Sequence, residues 1–234
     1  MTNIWIRAID SVKNRGLKRS VQSLLSILED RWFDLKYGID TIHWVELDDL
    51  EIKSENKERG KRYQPTRVRH FKKLMSTLTF PSDSVFVDLG SGKGRLLLIA
   101  SEYDFKRVVG VEFSHDLCKE ARKNLFIFRK KVEFDVDVEI IESDVVNYEI
   151  KDNENVFFLF SPFDEVVMAA CLKNISISLE KKPRRVWLIY NNPVHRDIIE
   201  KNFVKLKDYV YGGTEFIVYT NNGHGHRFGH LSKA

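Results

Sequence analysis

Apolar residues follow two different periods in the second half of the chain, and their alternation predicts a sheet of parallel strands. Short continuous apolar runs predict strands over residues 84–88, 107–112, 138–141, 156–160 and 186–190. Between these runs, apolar residues at helical spacing predict helices over residues 93–103, 115–129, 163–179 and 195–201. Strands that alternate with helices are typical of βαβ units, so we predict an α/β fold.

The alternation stops toward the carboxyl end of the chain. Residues 203–211 and 214–219 both have the pattern of strands, and only Gly212 and Gly213 separate them. Because no helix fits between these strands, we expect them to pair as an antiparallel hairpin. A mostly parallel sheet that closes in a hairpin is not the usual ending of a dehydrogenase.

Residues 1–60 precede the alternating region and carry a separate helical pattern. Apolar residues recur there at helical spacing, namely Leu17, Val21, Leu24, Leu25 and Leu28. Basic residues precede or flank this stripe, namely Lys13, Arg15, Lys18 and Arg19. We predict a helical cover over residues 1–60 that packs its stripe on a domain over residues 61–234. The alternative is a peripheral contact of the basic helix with a membrane or a nucleic acid.

Composition limits the classes of protein that the chain can belong to. Of 234 residues, 43% are hydrophobic and 31% are charged, which fits one globular domain with a sizeable core. The net charge of +4 is compatible with an anionic partner. No apolar run approaches the about 18 residues of a membrane span, and the first residues lack the pattern of a signal peptide. We therefore expect a cytoplasmic protein.

The potential metal ligands do not form a convincing site. Cys118 and Cys171 are far apart and outside any CxxC pair, so we predict buried free thiols, as suits a reducing compartment. His224, His226 and His230 lie in a glycine-containing tail, which we expect to be solvated. We predict no metal site.

The strongest chemical signal is a glycine-rich turn that follows the first strand, in the sequence VFVDLGSGKGR over residues 85–95. Its glycines permit positive φ and close approach of a ligand to the backbone. In open α/β sheets, ligands bind at the carboxyl ends of the strands, so a cofactor is expected over residues 90–94. The third glycine comes one position too early for a dinucleotide fingerprint, and no phosphate-binding P-loop is present.

Acidic residues follow three successive strands. Asp88 precedes the first turn glycine by two positions and is suited to face a positively charged ligand. Glu112 ends the second strand, where a carboxylate can accept hydrogen bonds from both ribose hydroxyls. Asp144 follows the third strand and can accept one from an adenine amino group. The alternatives are a turn cap for Asp88 and solvated strand ends for the other two.

In order and spacing, residues 88–94, Glu112 and Asp144 resemble motifs I to III of the class I methyltransferases, over residues 81–220. The resemblance implies a Rossmann-like, seven-stranded sheet with helices on both faces. It also implies S-adenosylmethionine as cofactor and transfer of its methyl group. The expected cofactor contacts are Tyr63, Thr66, Asp88, Gly90, Ser91, Gly92, Gly94, Glu112, Phe113, Asp144, Val145 and Ser161.

Two further segments resemble parts of methyltransferases. Residues 63–66, Tyr-Gln-Pro-Thr, are similar to a segment that closes over the cofactor in small lysine methyltransferases and Dot1-like histone methyltransferases. Residues 160–164, Phe-Ser-Pro-Phe-Asp, only partly resemble the Asp/Asn-Pro-Pro-Tyr/Phe motif of amino-group methyltransferases, because Ser161 replaces the Asp or Asn. Each segment has an alternative interpretation as a helix start. Thr66 would lie near the N-terminus of a helix over residues 68–78, and Ser161 would be the N-cap of the helix that follows it.

The methyl acceptor stays open between a protein lysine and an RNA. Ser161, Phe163 and Tyr63 are the catalytic candidates on the substrate side, and Tyr63, Phe163 and Tyr190 could line an aromatic mouth. Residues 190–193 either line that mouth or form a plain turn. Clustered bases over residues 57–73, with Tyr63, His70 and Phe71 as stacking candidates, would instead suit RNA. Outside the transferases, the alternatives are a non-catalytic S-adenosylmethionine-binding module and an NAD-dependent oxidoreductase.

Overall fold

In the computed structural model, the described residues, 17–46, 63–160 and 164–221, form six helices and seven strands. The strands are β1 (Val85–Leu89), β2 (Arg107–Glu112), β3 (Asp137–Glu142), β4 (Glu154–Phe160), β5 (Trp187–Asn191), β6 (Val204–Tyr211) and β7 (Thr214–Thr220). The helices are α1 (Leu17–Tyr37), α2 (Val68–Met75), α3 (Arg95–Ala100), α4 (His115–Arg129), α5 (Glu165–Lys181) and α6 (Arg196–Ile199).

All seven strands belong to one sheet, in the order β3-β2-β1-β4-β5-β7-β6. Strands β1 to β5 pair in parallel, and β7 runs antiparallel to both of its neighbours. Gly212 and Gly213 connect β6 to β7 with φ values of 57° and 89°. Two successive positive φ values are typical of the tight type I′ hairpin turn. The predicted parallel sheet with a terminal hairpin is confirmed.

Apolar side chains fill the space on both faces of the sheet. Along β4, Phe157 and Leu159 face one side, toward α5, whereas Val156 and Phe158 face the other side, toward α2 and α3. Because a strand alternates its side chains between two faces, burial on both faces requires a continuous apolar run. The thiols of Cys118 and Cys171 are buried and unpaired, as predicted.

Helix α1 packs on the sheet domain through the side opposite to the one that the sequence predicts. Val21, Leu24, Leu25 and Leu28 of the predicted stripe are 47%, 57%, 43% and 53% exposed. The buried positions are instead Ser26, Asp30, Phe33, Asp34 and Tyr37. The predicted packing of the stripe is therefore wrong, because aromatic rings and two carboxylates with buried partners set the orientation of the helix.

Parts of the N-terminal and C-terminal predictions fall on residues outside the described ranges. Residues 1–16 and 47–60 of the predicted cover lie outside them, so the division between residues 1–60 and 61–234 stays a prediction. His224, His226 and His230 also lie outside the described residues. Within the described ranges, none of the helices is long and apolar enough to cross a membrane.

Candidate cofactor and substrate site

The glycine-rich turn is tied to the neighbouring strand through its backbone. The N–H groups of Gly90 and Ser91 donate to the carbonyl oxygen of Val111 at 2.9 and 3.0 Å. Gly90, Gly92 and Gly94 have φ values of 92°, 53° and 80°. A Cβ on Gly92 would also lie 2.2 Å from Cε2 of Tyr63. Gly92 is therefore required both by its conformation and by the aromatic ring that packs against it.

Glu112 is a buried carboxylate that the backbone holds in one orientation. Its Oε2 accepts the N–H of Gly92 at 2.8 Å, and its Oε1 accepts the N–H of Ser114 at 3.0 Å. Burial raises the pKa of Glu112 to about 6, although the backbone hydrogen bonds act in the opposite direction. A carboxylate has about four acceptor sites, so Glu112 keeps acceptor capacity for a ligand.

Asp88 is buried near the end of β1, and none of the described residues donates a hydrogen bond to its carboxylate. Burial, together with the nearby charge of Glu112, raises the pKa of Asp88 to about 8. The alternative interpretation of Asp88 as a turn cap finds no hydrogen bond in its support. A buried carboxylate that lacks a partner is costly in the ionised form, and a cation next to it would remove that cost.

The segment over residues 63–66 lies against the glycine-rich turn. The hydroxyl of Tyr63 donates to the carbonyl oxygen of Thr41 at 2.9 Å, and burial raises the pKa of that hydroxyl. Thr66 does not cap α2, because Arg67 occupies the cap position and Oδ1 of Asp30 accepts the N–H of Val68 at 2.9 Å. The Thr66 hydroxyl instead accepts Nδ2 of Asn191 at 3.2 Å.

Two buried polar atoms close to these groups have no protein partner within the described ranges, namely Oγ of Ser91 and Oδ1 of Asn191. Asp88 pairs with Phe158 in the sheet, and Asn191 pairs with Phe160. Because residues two apart on a strand share a face, Asp88 and Asn191 project from the same face of the sheet. Unpaired polar groups on one face, at the carboxyl ends of strands, fit a polar ligand.

Three further residues predicted to contact the cofactor, among them Asp144 for adenine, follow β2 and β3. Phe113 and Asp144 are partly buried, and Oδ1 of Asp144 accepts the N–H of Val146 at 3.0 Å. The Val145 side chain packs in the core, which leaves only its backbone for a ligand. Tyr190 is also in the core, where its hydroxyl accepts the N–H of His195 at 3.3 Å. The prediction that Tyr190 lines the substrate mouth is wrong.

Ser161 and Phe163 lie outside the described residues, so their predicted roles stay predictions. The start of the following helix is nevertheless defined. Asp164 occupies the N-cap of α5, and its Oδ1 accepts the N–H groups of Val166 and Val167 at 3.0 Å each. The alternative interpretation of Ser161 as the N-cap is therefore wrong.

Comparisons with known proteins identify the fold of the chain. A family model described as "Histone methylation protein DOT1" matches residues 51–157. An RNA methyltransferase from Salinibacter ruber, in complex with S-adenosyl-L-homocysteine, is 21% identical at a TM-score of 0.53, over 72% of this chain and 99% of that one. N-methyltransferase NodS from Bradyrhizobium japonicum is 11% identical at a TM-score of 0.50, over 65% and 94% of the two chains. This chain has the class I methyltransferase fold.

The fold that the resemblance to motifs I to III implies is thus confirmed. The search of curated protein sequences found no significant match to the chain. Both structural relatives share less than a quarter of their residues with it, so they show the methyltransferase fold and not the acceptor.

A buried ion-pair cluster lies beside the candidate site, and the apolar pattern of the sequence does not predict it. Arg95 begins α3 directly after the glycine-rich turn, and its Nη1 lies 3.3 Å from Oδ1 of Asp30. Its Nη2 lies 3.6 Å from Oδ1 of Asp34, and its Nε donates to Oγ1 of Thr41 at 2.7 Å. The i, i+4 spacing of two aspartates in an apolar helix was the available signal, because it places two carboxylates on one side.

Most basic residues in the described part of the segment over residues 57–73 have protein partners. Arg67 lies 2.6 Å from Asp30, Arg69 lies 2.7 Å from Glu29, and Lys72 lies 2.5 Å from Glu102. The amino group of Lys73 lies 4.6 Å from the ring centroid of Tyr211.

Two of the side chains predicted to stack on RNA bases are not accessible. His70 and Phe71 are buried, so the prediction that they stack on bases is wrong. Lys57, Arg59, Lys61 and Arg62 lie outside the described residues.

Proposed function

We propose that the chain is an S-adenosylmethionine-dependent methyltransferase whose acceptor is a protein amine, with the lysine side chain as the leading candidate. The observation that carries the proposal is the arrangement of Asp88 and Glu112 around the glycine-rich turn. One buried carboxylate is unpaired and suited to a cation, and the other is fixed by the backbone with acceptor sites to spare.

The proposed contacts follow the parts of the cofactor. Glu112 would accept hydrogen bonds from the ribose hydroxyls, and Asp88 would face the positive charge of the methionine end. Asp144 would receive the adenine amino group beside Phe113 and Val145, and the turn over residues 90–94 would allow close approach. Tyr63, Thr66 and Ser161 would close over the methionine end. When bound, the cofactor supplies a methyl group on a positively charged sulfur.

Four observations favour an amine over a nucleic acid as acceptor. The segment over residues 63–66 resembles that of lysine methyltransferases, and the family model that matches residues 51–157 is described as a histone methylation protein. His70 and Phe71 are unavailable for base stacking, and the described bases 67, 69, 72 and 73 already contact other side chains. An amine acceptor therefore fits the described surface better than RNA does.

On the substrate side, we propose that Oδ1 of Asn191 accepts a hydrogen bond from the amine. This oxygen is buried and lacks a partner among the described residues, and it projects from the face of Asp88. A lysine must lose its proton before transfer, since its free pKa is about 10.4, and an apolar mouth lowers that pKa. Tyr63 and Phe163 are the proposed lining. Holding the reactants in line can supply about 7–11 kcal/mol of the barrier.

Cofactor affinity is expected to rise with pH between about 6 and 8, because Asp88 must ionise to face a cation. In the free protein the pKa of Asp88 is about 8, so below that pH the carboxyl is mostly protonated and binding must release a proton. Affinity then increases by at most about tenfold per pH unit, and the contribution of Asp88 levels off above pH 8. Calorimetry of S-adenosylmethionine binding in buffers of different ionisation enthalpy measures the released proton.

The matched control for the pH dependence is Asp88→Asn, which has no proton to release at this position. Any titration of the cofactor itself is common to both proteins, so the difference between their slopes reports on Asp88. Equal slopes for the two proteins would contradict the assignment of Asp88 to the cation.

Calorimetric titration with S-adenosylmethionine, S-adenosylhomocysteine and NADH tests the proposed function first. We expect the first two to bind and NADH not to bind, and NADH binding alone would point to an oxidoreductase. Transfer of a labelled methyl group to protein and RNA fractions of an extract then tests the acceptor. Methyl-lysine in acid hydrolysates supports the proposal, and label in RNA supports the alternative. Cofactor binding without label in any fraction would indicate a non-catalytic binding module.

A further inference from the structure

Helix α1 has two apolar sides, and only one of them belongs to the core. The exposed side carries a row of large apolar residues, hereafter the outer stripe, namely Val21, Leu24, Leu25, Leu28, Trp32 and Leu35. Trp32 is 59% exposed and Leu35 is 82% exposed. At 3.6 residues per turn, the six positions fall within an arc of about 100°, directly opposite the buried positions, and extend for about 21 Å. Such a contiguous row differs from scattered surface apolar residues and indicates an interaction surface.

The charges around the outer stripe are positive. Arg31 borders one edge of it and is exposed. Lys36 borders the other edge, with its amino group 5.0 Å from the ring centroid of Trp32. In the sequence, Lys18 follows the first residue of the helix on the same edge as Lys36, and Lys13 and Arg15 precede the helix.

All three carboxylates of α1 are engaged with other parts of the protein. Asp30 and Asp34 are buried next to Arg95, and Glu29 lies 2.7 Å from Arg69. The outer side of the helix therefore combines an apolar stripe with two bases, Arg31 and Lys36, that form no ion pair within the described part of the chain.

We propose that the outer stripe binds the surface of a bilayer that contains anionic lipids, with α1 lying in the plane of the headgroups. A row of leucines with a tryptophan, bordered by Lys and Arg, is the composition of helices that lie in the membrane interface. Anionic headgroups complement the flanking bases. A second copy of the chain fits the outer stripe less well than a bilayer does. A twofold contact through the stripe would place Arg31 and Lys36 of one copy near the same two residues of the other, and these like charges repel.

The attachment of α1 to the domain gives this contact a fixed orientation. On the side of the helix opposite the stripe, Asp30 contacts both Arg67 and the N–H of Val68, directly after the segment over residues 63–66. Docking would hold that segment about one helix diameter, roughly 10–12 Å, from the lipid surface. The lipid contact itself needs no methyl transfer, so it can be tested separately from the proposed function.

Flotation of the full chain with vesicles tests the proposal. We expect binding to phosphatidylcholine vesicles that contain phosphatidylserine, weaker binding to phosphatidylcholine alone, and weakening by salt. Leu24→Ser with Leu28→Ser should lower partitioning by roughly 100-fold, because two exposed leucines no longer enter the interface. Val204→Ser with Val210→Ser on β6, also exposed residues, is the matched control and should leave partitioning unchanged. Arg31→Glu should lower binding to the anionic vesicles only.

Any of four results would overturn the proposal. One is the absence of vesicle binding by a protein with normal circular dichroism. A second is equal partitioning of the leucine variant and the valine control. The third is a dimer in light scattering that the leucine substitutions convert to a monomer, which would assign the outer stripe to a second copy. A lower unfolding midpoint for the leucine variant together with no vesicle binding would assign the stripe to another segment of this chain.

Discussion

Glu112→Gln is expected to weaken the binding of S-adenosylhomocysteine by about 100-fold or more. The carboxylate oxygens of Glu112 accept the N–H groups of Gly92 and Ser114, and we propose that they also accept the two ribose hydroxyls. A hydrogen bond to a charged group contributes about 1.5–3 kcal/mol, so the loss of two corresponds to about two orders of magnitude or more in affinity. The amide also turns a donor toward the N–H of Gly92 or Ser114. Calorimetric titration measures the dissociation constant.

Glu142 offers a close control for this substitution. It ends the neighbouring strand β3, pairs directly with Glu112 in the sheet, and is exposed beside His115 at 3.0 Å. Glu142→Gln should leave the dissociation constant within about twofold, because an exposed ion pair contributes little. If Glu112→Gln retains its fold and binds as the unmodified protein does, the proposed ribose contact is wrong.

Asp88→Ala should weaken cofactor binding as well. If the double variant Asp88→Ala with Glu112→Ala folds and binds the cofactor with unchanged affinity, the proposed S-adenosylmethionine site is wrong.

The part of the site that local sequence encodes could be predicted. Asp88, Glu112 and Asp144 are recognised because each follows an apolar run, and parallel strands bring their carboxyl ends to one edge. Strand faces were harder to predict. β5 is buried on both faces, so its apolar pattern does not reveal that Asn191 shares the face of Asp88 whereas Tyr190 points into the core. The error at Tyr190 follows from that missing alternation.

The hairpin was predicted, but the position of β7 between β5 and the edge strand β6 was not. The reason can be seen in its two strands. Residues 216–219 of β7 are continuously apolar and buried, as in an interior strand, whereas β6 carries Lys205 and Lys207 between exposed apolar residues, as suits an edge. This contrast was present in the sequence and would have placed β7 inside.

The orientation of α1 could not be derived from apolar periodicity. By hydrophobicity alone, the outer stripe is the better candidate for the core, and the side that is actually buried contains Asp30 and Asp34. Those carboxylates are buried because Arg67 and Arg95 meet them from segments more than 30 residues away in the chain. Partners at that sequence distance are a property of the fold, and a local pattern does not contain them.

Arg95→Met is expected to destabilise the protein by about 3 to 5 kcal/mol, the usual cost of removing one partner from a buried ion pair. The substitution keeps much of the side-chain volume but leaves Asp30 and Asp34 buried with one cation fewer. It also removes the donors to the Thr41 hydroxyl and the Thr66 carbonyl, which adjoin the Tyr63 segment. Urea unfolding followed by circular dichroism measures the free energy of unfolding.

Arg69→Met separates the effect of burial from the effect of losing any contact with α1. Arg69 also pairs with a carboxylate of α1, Glu29, but both side chains are more than 40% exposed. Water solvates the remaining carboxylate there, so we expect a change below about 1 kcal/mol. Equal, small effects of both substitutions would mean that apolar packing of Phe33 and Tyr37 alone holds α1. A large effect confined to Arg95 would show that the ion-pair cluster fixes the helix and thereby leaves the outer stripe facing outward.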